Sequence, residues 1–367
     1  MTIEFFNTHI SPQAIKMASE VLKATFVSEG EIVREFETAL GRRLGLYNPV
    51  ALNSGTSALH LALVLAGVGE GDEVILPPQT FIATGLVVLM QRAKPVFADI
   101  QYDTGNIDPL SIESRVTERT RAIMPVHWGG YPCDMDEIHA IAKRNGIVVI
   151  EDAAHALGAT YKDKTIGAIS DFTAFSFQAI KHLTTGDGGA LCCLDDADYH
   201  DAVTRRWFGI DRTNSTPSIL GEREYDASVV GYKYHMNNLA AAVGLGNLED
   251  FPRNLGRRRE TASRYRKELA PVPGLQLLGY KDDRESAYWL FTVLVERRID
   301  FIRKLQTHGI PASVVHLRID DNSVFGGITP GLTNQERFNK DQVAIPVHSG
   351  LTDEEVSQII FCIKSGW

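Results

Sequence analysis

The sequence predicts an α/β protein with a mostly parallel sheet in a large N-terminal domain and a smaller α+β domain after it. Between about residue 50 and residue 195, short β-branched runs alternate with amphipathic stretches, which is the pattern of βαβ units. A chain of 367 residues also exceeds what one hydrophobic core usually serves. We therefore expect a large domain over residues 1–245 and a small domain over residues 246–367.

The elements of both domains can be taken in chain order. The expected strands of the large domain are PVALN, EVILPP, KPVFADI, AIMPVHW, GIVVIEDAA, FTAFSF and GALCCL. Between them, TSALHLALVLAGV and MDEIHAIAKRNG carry apolar residues at helical spacing, and Gly146 is expected to end the second helix. In the small domain, RNLGRRRETASRYRKEL and IDFIRKLQTHGI are helix-like, and YWLFTVLV between them is strand-like.

Composition excludes several classes of function. The net charge of -9, without a block of Lys or Arg, leaves no electrostatic footprint for nucleic acid or an anionic membrane surface. The four cysteines have no metal-ligand spacing, and we expect buried, reduced thiols and no metal site. The N-terminal segment lacks the features of a signal peptide and no apolar run is long enough to span a membrane, so a cytoplasmic location is expected.

The stretch LNSGTSALHLAL, residues 52 to 63, passes from a strand into an apolar helix through Gly55, Thr56 and Ser57. A helix N-terminus presents free N–H groups and the positive end of the helix dipole, and hydroxyls beside a glycine make it a suitable phosphate site. Alternatively, Thr or Ser only caps the helix. The motif lacks the G-x-G-x-x-G glycines and the Walker lysine, which argues against a dinucleotide or a nucleoside triphosphate.

Acidic residues end the apolar strand in VVIEDAAHALGA, residues 148 to 159. Glu151 and Asp152 lie where ligand crevices of parallel sheets open, and a buried carboxylate there needs a cation or several hydrogen-bond donors. The alternative role of Asp152 is to cap a following helix AAHALG. His155 is a further candidate, or a structural histidine.

Lys181 follows the strand FTAFSF in the segment SFQAIKHLTTGDGGAL. It is either a solvated loop lysine or a nucleophile, and a nucleophilic lysine must lose its proton near neutral pH, which requires desolvation or a nearby positive charge. A phosphate site, a strand-end aspartate and a partly buried lysine together match pyridoxal phosphate. Phe81 in PPQTFIATG would supply a flat apolar partner for the cofactor ring, unless it is part of the core.

Over most of its length the chain resembles the DegT/DnrJ/EryC1/StrS family of sugar aminotransferases that use pyridoxal phosphate. The resemblance rests on FVSEGEIVREFETAL, LNSGTSALHLAL, PPQTFIAT, FADIQYDTGNIDP, RTRAIMPVHWGGYPCDMDEI, VIEDAAHALGA, FSFQAIKHLTTGDGGAL, RRWFGIDR and GYKYHMNNLAAAVGL. It implies an aspartate-aminotransferase-like fold (PLP fold type I) and a homodimer or a higher assembly with shared active sites.

The resemblance also implies roles for individual residues. Lys181 matches the Schiff-base lysine, and Asp152 matches the partner of the pyridine nitrogen. Phe81 matches the aromatic residue that stacks on the cofactor ring, and His155 matches the residue near the cofactor hydroxyl. The phosphate site corresponds to Gly55, Thr56, Ser57 and Ser176. His235 stands where family members commonly carry Asn or Arg that reaches the neighbouring subunit's cofactor phosphate. In PASVVHLRIDDNSVFG only His316 matches the family's substrate-contacting pattern.

The expected activity is transfer of an amino group from an amino acid, glutamate by the resemblance, to a nucleotide-linked keto-sugar. A dehydrating branch of the family carries His in place of the lysine, so Lys181 argues against it. A lyase on the same fold would keep Lys181 and Asp152 but would need a reactive cysteine or another substrate pocket. A regulator that binds the cofactor without turnover would use the same cofactor-binding residues, and a spectrum recorded with glutamate would separate these alternatives.

Overall fold

The computed structural model describes residues 3–212 and 216–367. The strands are β1 (Pro49–Leu52), β2 (Glu73–Leu76), β3 (Lys94–Phe97), β4 (Thr120–Ile123), β5 (Val148–Asp152), β6 (Thr160–Tyr161), β7 (Lys164–Thr165), β8 (Phe172–Ser176), β9 (Gly189–Cys193), β10 (Thr216–Pro217), β11 (Arg223–Glu224), β12 (Leu275–Leu277), β13 (Arg284–Glu285), β14 (Phe291–Val295) and β15 (Gln342–Ile345). The α-helices are α1 (Pro12–Ala24), α2 (Glu31–Leu44), α3 (Gly55–Leu65), α4 (Ala83–Met90), α5 (Pro109–Glu113), α6 (Met135–Asn145), α7 (Asp196–Arg205), α8 (Asn238–Leu248), α9 (Phe251–Leu269), α10 (Arg298–Thr307), α11 (Thr333–Asp341) and α12 (Asp353–Lys364).

The large sheet has seven strands in the order β1-β9-β8-β5-β4-β2-β3. The β2–β3, β2–β4, β4–β5 and β5–β8 pairs are parallel, whereas β9 pairs antiparallel with both β8 and β1. Every residue of β1, β2 and β9 is buried, as expected for a sheet covered on both faces. The prediction of a mostly parallel α/β sheet is therefore confirmed, with the seven predicted runs as its strands.

Helix boundaries follow local signals that the sequence carries. Helix α6 ends at Gly146, as predicted, because that glycine adopts the left-handed conformation at φ 65° and its N–H reaches the carbonyl of Ala142. Helix α1 begins after Ser11, whose hydroxyl accepts the N–H of Ala14, with proline at the first helical position. No helix among residues 3–212 and 216–367 combines the length and the apolar character needed to cross a membrane.

A second, smaller core surrounds the three-stranded sheet β12-β14-β15. Helices α10 and α12 and the C-terminal half of α9 pack into it. The N-terminal half of α9 belongs to the larger core instead, because Phe251 and Leu255 pack there while Tyr265 and Leu269 pack against the small sheet. Helix α9 thus connects the two cores, and the domain boundary near residue 245 stays a prediction.

Buried amides join the C-terminal part of the chain to the large sheet. The side chain of Gln79, after β2, hydrogen-bonds to the side chains of Gln335 and Gln342 and donates to the carbonyl of His316. The backbone N–H of Ile319 also donates a hydrogen bond to the carbonyl of Pro78. These contacts hold the segment around His316 over the carboxyl ends of the parallel strands.

Candidate active site

A cavity of about 340 Å³ opens at the carboxyl ends of β5 and β8, within the usual size range of ligand pockets. Asp152 is the last residue of β5, and Ser176 is the last residue of β8. Eight of the sequence-predicted residues line this cavity: Gly55, Thr56, Phe81, Asp152, His155, Ser176, Lys181 and His316. Ser57 and His235 are not part of its lining.

The N-terminus of α3 forms one wall of the cavity. Ser54 is the N-cap, and its hydroxyl accepts the N–H of Ser57 at 3.0 Å. The hydroxyl of Ser57 donates to Asn53 Oδ1 at 2.6 Å, so Ser57 braces the cap from inside the protein. A Cβ at Gly55 would lie 3.0 Å from the Cβ of Ser176, so glycine lets the helix end approach β8 closely. Sequence reasoning missed Ser54, although it belongs to the same motif.

Asp152 is buried, and two groups of the protein donate hydrogen bonds to its carboxylate. Thr84 Oγ1 donates to Oδ2 at 2.8 Å, and the N–H of Ala154 donates to Oδ1 at 3.2 Å. Burial raises the pKa of Asp152, while these hydrogen bonds and Lys181 oppose the rise. Residues 153–158 form turns and not a helix, so the alternative role of Asp152 as a helix cap is wrong. The carboxylate is instead available to a cationic N–H in the cavity.

Glu151 has a different role from its neighbour because side chains alternate along a strand. Its Oε2 lies 2.6 Å from His127 Nε2, and both side chains are fully buried. The N–H of Cys133 donates to His127 Nδ1, so Nε2 carries the hydrogen and donates to Glu151. Although burial opposes ionisation, hydrogen bonds from His127, Ser170 and Thr173 lower the pKa of Glu151 below its usual value. Glu151 therefore lies in the core, where His127 and Thr173 satisfy its carboxylate, and it does not line the cavity.

Lys181 lies in the turn that follows β8, with its side chain partly exposed to the cavity. Its Nζ is 3.6 Å from the centroid of the Trp289 ring. Burial lowers the pKa of Lys181 to about 7, with Asp152 opposing the shift and Arg258 adding to it. The solvated-loop alternative for Lys181 does not fit these surroundings, since a solvated lysine keeps its ordinary pKa.

Aromatic rings form a further part of the cavity wall. His155 stacks on Trp289 with ring centroids 3.8 Å apart, and His316 lies 5.8 Å from His155 and 5.4 Å from Phe81. Phe81 is 55% exposed and so is not part of the core. Burial and the charge of Lys181 lower the pKa of His155 well below its ordinary value and that of His316 to about 4. Both histidines are therefore neutral at pH 7.

Trp289 is a site residue that sequence reasoning missed. It lies in YWLFTVLV, which the pattern identified only as a strand-like run. The indole reaches the cavity from the C-terminal part of the chain, and no local signal distinguishes it from a core aromatic. Thr84 was missed for a similar reason, because a threonine inside an apolar helix shows no sign of its carboxylate partner.

His235 lies outside the cavity of its own chain. Its backbone pairs with Leu52 at the end of β1, and its ring packs on Trp207 with centroids 4.0 Å apart. The neighbouring Tyr234 carbonyl accepts the N–H of Asn53, so this segment runs along the outside of the α3 N-terminus. Burial lowers the pKa of His235. The expected contact of His235 with a second subunit stays a prediction.

The cysteines take no part in the cavity. All four are buried and unpaired, and burial raises the pKa of the Cys192 and Cys193 thiols in β9. Within residues 3–212 and 216–367, no group of three or more His, Cys, Asp or Glu side chains is arranged to hold a metal ion. The chemistry available at the cavity is thus that of one lysine, the carboxylates of Asp152 and Asp187, several hydroxyls and aromatic rings.

Comparison with known proteins gives consistent matches over nearly the whole chain. The model of the DegT/DnrJ/EryC1/StrS aminotransferase family matches residues 8–364. The spore coat polysaccharide biosynthesis protein SpsC of Bacillus subtilis is 37% identical over 97% of this chain and 94% of its own length. The GDP-perosamine synthase of Caulobacter vibrioides is 36% identical over 93% of this chain and 92% of its own. The crystal structure of the sugar aminotransferase CalS13 from Micromonospora echinospora is 36% identical, covers 100% of both chains and superposes with a TM-score of 0.95.

Proposed function

Because the chain belongs to the DegT/DnrJ/EryC1/StrS aminotransferase family, we propose that it transfers an amino group from glutamate to a nucleotide-linked keto-sugar. Family membership makes the protein a sugar aminotransferase that depends on pyridoxal phosphate. The observation that carries the proposal is Lys181, a lysine with a pKa lowered to about 7, in one cavity with the buried carboxylate of Asp152.

The residues around the cavity fit pyridoxal phosphate. The N-terminus of α3, with Gly55, Thr56 and Ser176 beside it, suits the phosphate because its free N–H groups and dipole favour an anion. Asp152 is a buried carboxylate without a cationic hydrogen-bond partner among the described residues, as a partner of a pyridinium N–H would be. We assign Phe81 to a face of the cofactor ring and His155 to its hydroxyl. When bound, pyridoxal phosphate supplies an aldehyde that takes up amino groups and a ring that draws electrons from the reacting carbon.

The chain's own residues supply positioning and proton transfer. A lysine with a pKa of about 7 is partly neutral at physiological pH, so Lys181 can act as a nucleophile and can also take up and return a proton. His155 and His316 stay neutral and add no positive charge that would lower the pKa of Lys181 further. Glutamate becomes 2-oxoglutarate while the keto group of the sugar becomes an amine, so the exchange needs no external oxidant or reductant.

The nucleotide-linked acceptor is supported by the relatives. GDP-perosamine synthase is named for a nucleotide-linked amino sugar, and SpsC for polysaccharide biosynthesis. The exposed side chain of Phe81, with the His316 ring 5.4 Å away, marks the side of the cavity where we expect the sugar to enter. No cysteine lines the cavity, which argues against a lyase that uses a reactive thiol, whereas a lyase with another substrate pocket is separated by the spectrum recorded with glutamate.

We also propose that the protein works as a homodimer. The segment that precedes His235 carries large apolar side chains directed to solvent, and Ile219, Leu220 and Val230 are among the most exposed hydrophobic residues described. Covering them by a second copy would remove apolar surface from water. The segment from residue 219 onward reaches His235, which lies beside the α3 N-terminus. A second copy bound to this segment would therefore also lie close to the proposed phosphate site, as a shared active site requires.

A two-stage measurement tests the proposed reaction. Protein loaded with pyridoxal phosphate is mixed with glutamate, and we expect absorbance of the pyridoxal form to give way to that of pyridoxamine phosphate as 2-oxoglutarate is released. Nucleotide-linked keto-sugars are then added one at a time, and the correct acceptor restores the first spectrum and yields an amino sugar identified by mass and NMR. A protein that binds the cofactor but shows no change with any amino donor would be a regulator, and the proposal would be wrong.

A further inference from the structure

Trp289 touches the lysine on which the proposed reaction depends. Its ring centroid lies 3.6 Å from Lys181 Nζ, well inside the range in which an ammonium group is attracted to an aromatic face. An indole is also the strongest of the aromatic partners for a cation. The ring therefore favours the charged form of the lysine in surroundings where burial favours the neutral form.

The indole is held rigidly against the turn that carries Lys181. Its Nε1–H donates to the carbonyl of Ile180, the residue before the lysine, at 3.1 Å. The ring also stacks on His155 at 3.8 Å and on Phe6 at 5.4 Å, and only 2% of the residue is exposed. These contacts restrict movement of the indole ring away from Lys181.

The backbone on both sides of Trp289 is hydrogen-bonded to the segment that precedes α6. The N–H groups of Ala287 and Leu290 donate to the carbonyls of Gly130 and Gly129. A Cβ at Gly130 would lie 2.9 Å from the backbone nitrogen of Tyr288. The backbone around Gly130 and the backbone around Tyr288 are therefore in direct contact. The tryptophan is thus placed by a fixed backbone and not by the lysine.

We propose that Trp289 is a positioning residue that holds the free ammonium group of Lys181 in the cavity and sets how readily it loses its proton. The proposal extends the proposed aminotransferase function, because a lysine that alternates between bound and free forms needs a defined position when it is free. Trp289 supplies no group that reacts, and its effect is exerted through its contact with Lys181 Nζ.

Fluorinated tryptophan tests the contact without changing its shape. Fluorine withdraws electrons from the ring face, so 5-fluorotryptophan and 5,7-difluorotryptophan should weaken the attraction while the burial of Lys181 stays the same. We expect the pKa of Lys181 to fall by about 0.3 unit per fluorine, since favouring the charged form raises a pKa and losing that effect lowers it. The other groups near the lysine, Asp152, Arg258, His155, His182 and His316, are unaltered by this substitution.

The measurement uses full-length protein without cofactor, in which the amine is free. Trace acetic anhydride labels amines only in their neutral form, and the pH midpoint of Lys181 labelling is read by peptide mass spectrometry. The same fluorination in a Trp289→Phe background is the matched control and should leave the midpoint unchanged, although the other tryptophans are fluorinated as well. A midpoint that stays constant or rises with fluorination of the wild-type sequence would overturn the proposal. Because no turnover is measured, this outcome is independent of whether amino-group transfer occurs.

Steady-state kinetics gives a second readout. Trp289→Phe keeps an aromatic face but loses the hydrogen bond to Ile180, whereas Trp289→Leu loses both. We expect kcat to fall a few-fold for Phe and about 30-fold for Leu, with KM for the sugar unchanged, because the lysine and not the substrate is misplaced. Trp367→Leu, a substitution far from the cavity, should leave both constants at wild-type values. Equal loss in the Phe and Leu variants would contradict a role for the ring face.

Discussion

Burial lowers the pKa of Lys181 to about 7, and the proposed function uses its amine as the nucleophile. We expect Lys181→Ala to lower turnover by at least about 10⁴-fold, because no other described amine in the cavity can replace it. Steady-state assays and a circular dichroism spectrum of the folded variant provide the measurement. The exposed Lys267→Ala in α9 is the control and should behave as wild type. Near-normal activity of Lys181→Ala would exclude the proposed mechanism.

The lowered pKa of Lys181 also predicts a pH-dependent cost in stability. The folded chain binds the Lys181 proton more weakly than the unfolded chain, in which the lysine has a pKa near 10.5. The buried ammonium group therefore destabilises the fold fully below pH 7. This destabilisation decreases as the pH rises from 7 and is lost near pH 10.5. In cofactor-free protein we expect Lys181→Met to raise Tm by about 5 °C at pH 6 and by less at each higher pH.

A thermal melting series from pH 6 to about 10 measures this difference between the variant and the wild type. The comparison should be repeated in an Asp152→Asn background, which removes the acidic neighbour that raises the pKa of the lysine. A Tm difference that does not depend on pH would show that Lys181 carries its ordinary pKa.

Asp152 is the second residue whose charge the proposed function requires. We expect Asp152→Asn to lower kcat by about 10³-fold or more, because a neutral amide cannot keep a pyridine nitrogen protonated. The two side chains have nearly the same shape, so the variant should fold and still bind cofactor. Asp163→Asn, at an exposed turn position with φ 65°, is the matched control. A loss of only a few-fold in the Asp152 variant would mean that another group protonates the ring.

At the scale of elements, the close approach of α3 to β8 shapes the proposed phosphate site. Alanine at Gly55 would place a Cβ 3.0 Å from Ser176 and 3.3 Å from the carbonyl of Phe175. We expect Gly55→Ala to push the helix end away from the strand and to weaken pyridoxal phosphate binding by about 10- to 100-fold, since the N–H groups no longer converge on one anion. Equilibrium dialysis or fluorescence titration with the cofactor measures the change.

Gly256 in α9 provides the control for this substitution, because no heavy atom lies within 4 Å of a Cβ placed there. Gly256→Ala should leave cofactor affinity unchanged and raise stability by about 0.5–1 kcal/mol, the usual gain for alanine in a helix. If Gly55→Ala bound the cofactor as tightly as the wild type, the phosphate would have to be held elsewhere than at the α3 N-terminus.

At the scale of the whole molecule, His235 is predicted to complete the active site of a second copy. It lies outside the cavity of its own chain but beside the outer edge of the α3 N-terminus. We expect His235→Ala and Lys181→Ala proteins, each impaired alone, to regain activity when their subunits exchange. Each hybrid dimer then has one site with both defects and one site with neither, so a random mixture should reach about a quarter of wild-type activity.

Subunit exchange itself is followed independently, by native mass spectrometry of isotopically labelled chains. If subunits exchange but activity is not recovered, His235 either acts in the active site of its own subunit or takes no part in the reaction. Recovery would support both the dimer and the shared site, because neither variant alone forms a site in which both Lys181 and His235 are intact.

The sequence alone determined the features that depend on local pattern. Seven apolar runs became the strands of one sheet, and Gly146 ended its helix, because strand periodicity and left-handed glycine caps are encoded within a few residues. The meeting of Asp152 and Lys181 at one cavity could be predicted for a related reason. In a parallel sheet the ends of the strands face one edge, so residues that follow different strands are expected to meet there.

The tertiary structure decided which side chains meet across long stretches of chain. Trp289 reaches the carbonyl of Ile180 from 109 residues away, and no periodicity in YWLFTVLV marks it as a partner of Lys181. Ser57 braces the helix cap while Gly55 and Thr56 face the cavity, and Asp152 precedes turns and not the helix that its neighbours suggested. The pKa of Lys181 likewise follows from burial and the positions of Asp152 and Arg258. These features required the folded chain because packing and desolvation depend on residues distant in sequence, whereas helix and strand signals depend on neighbours.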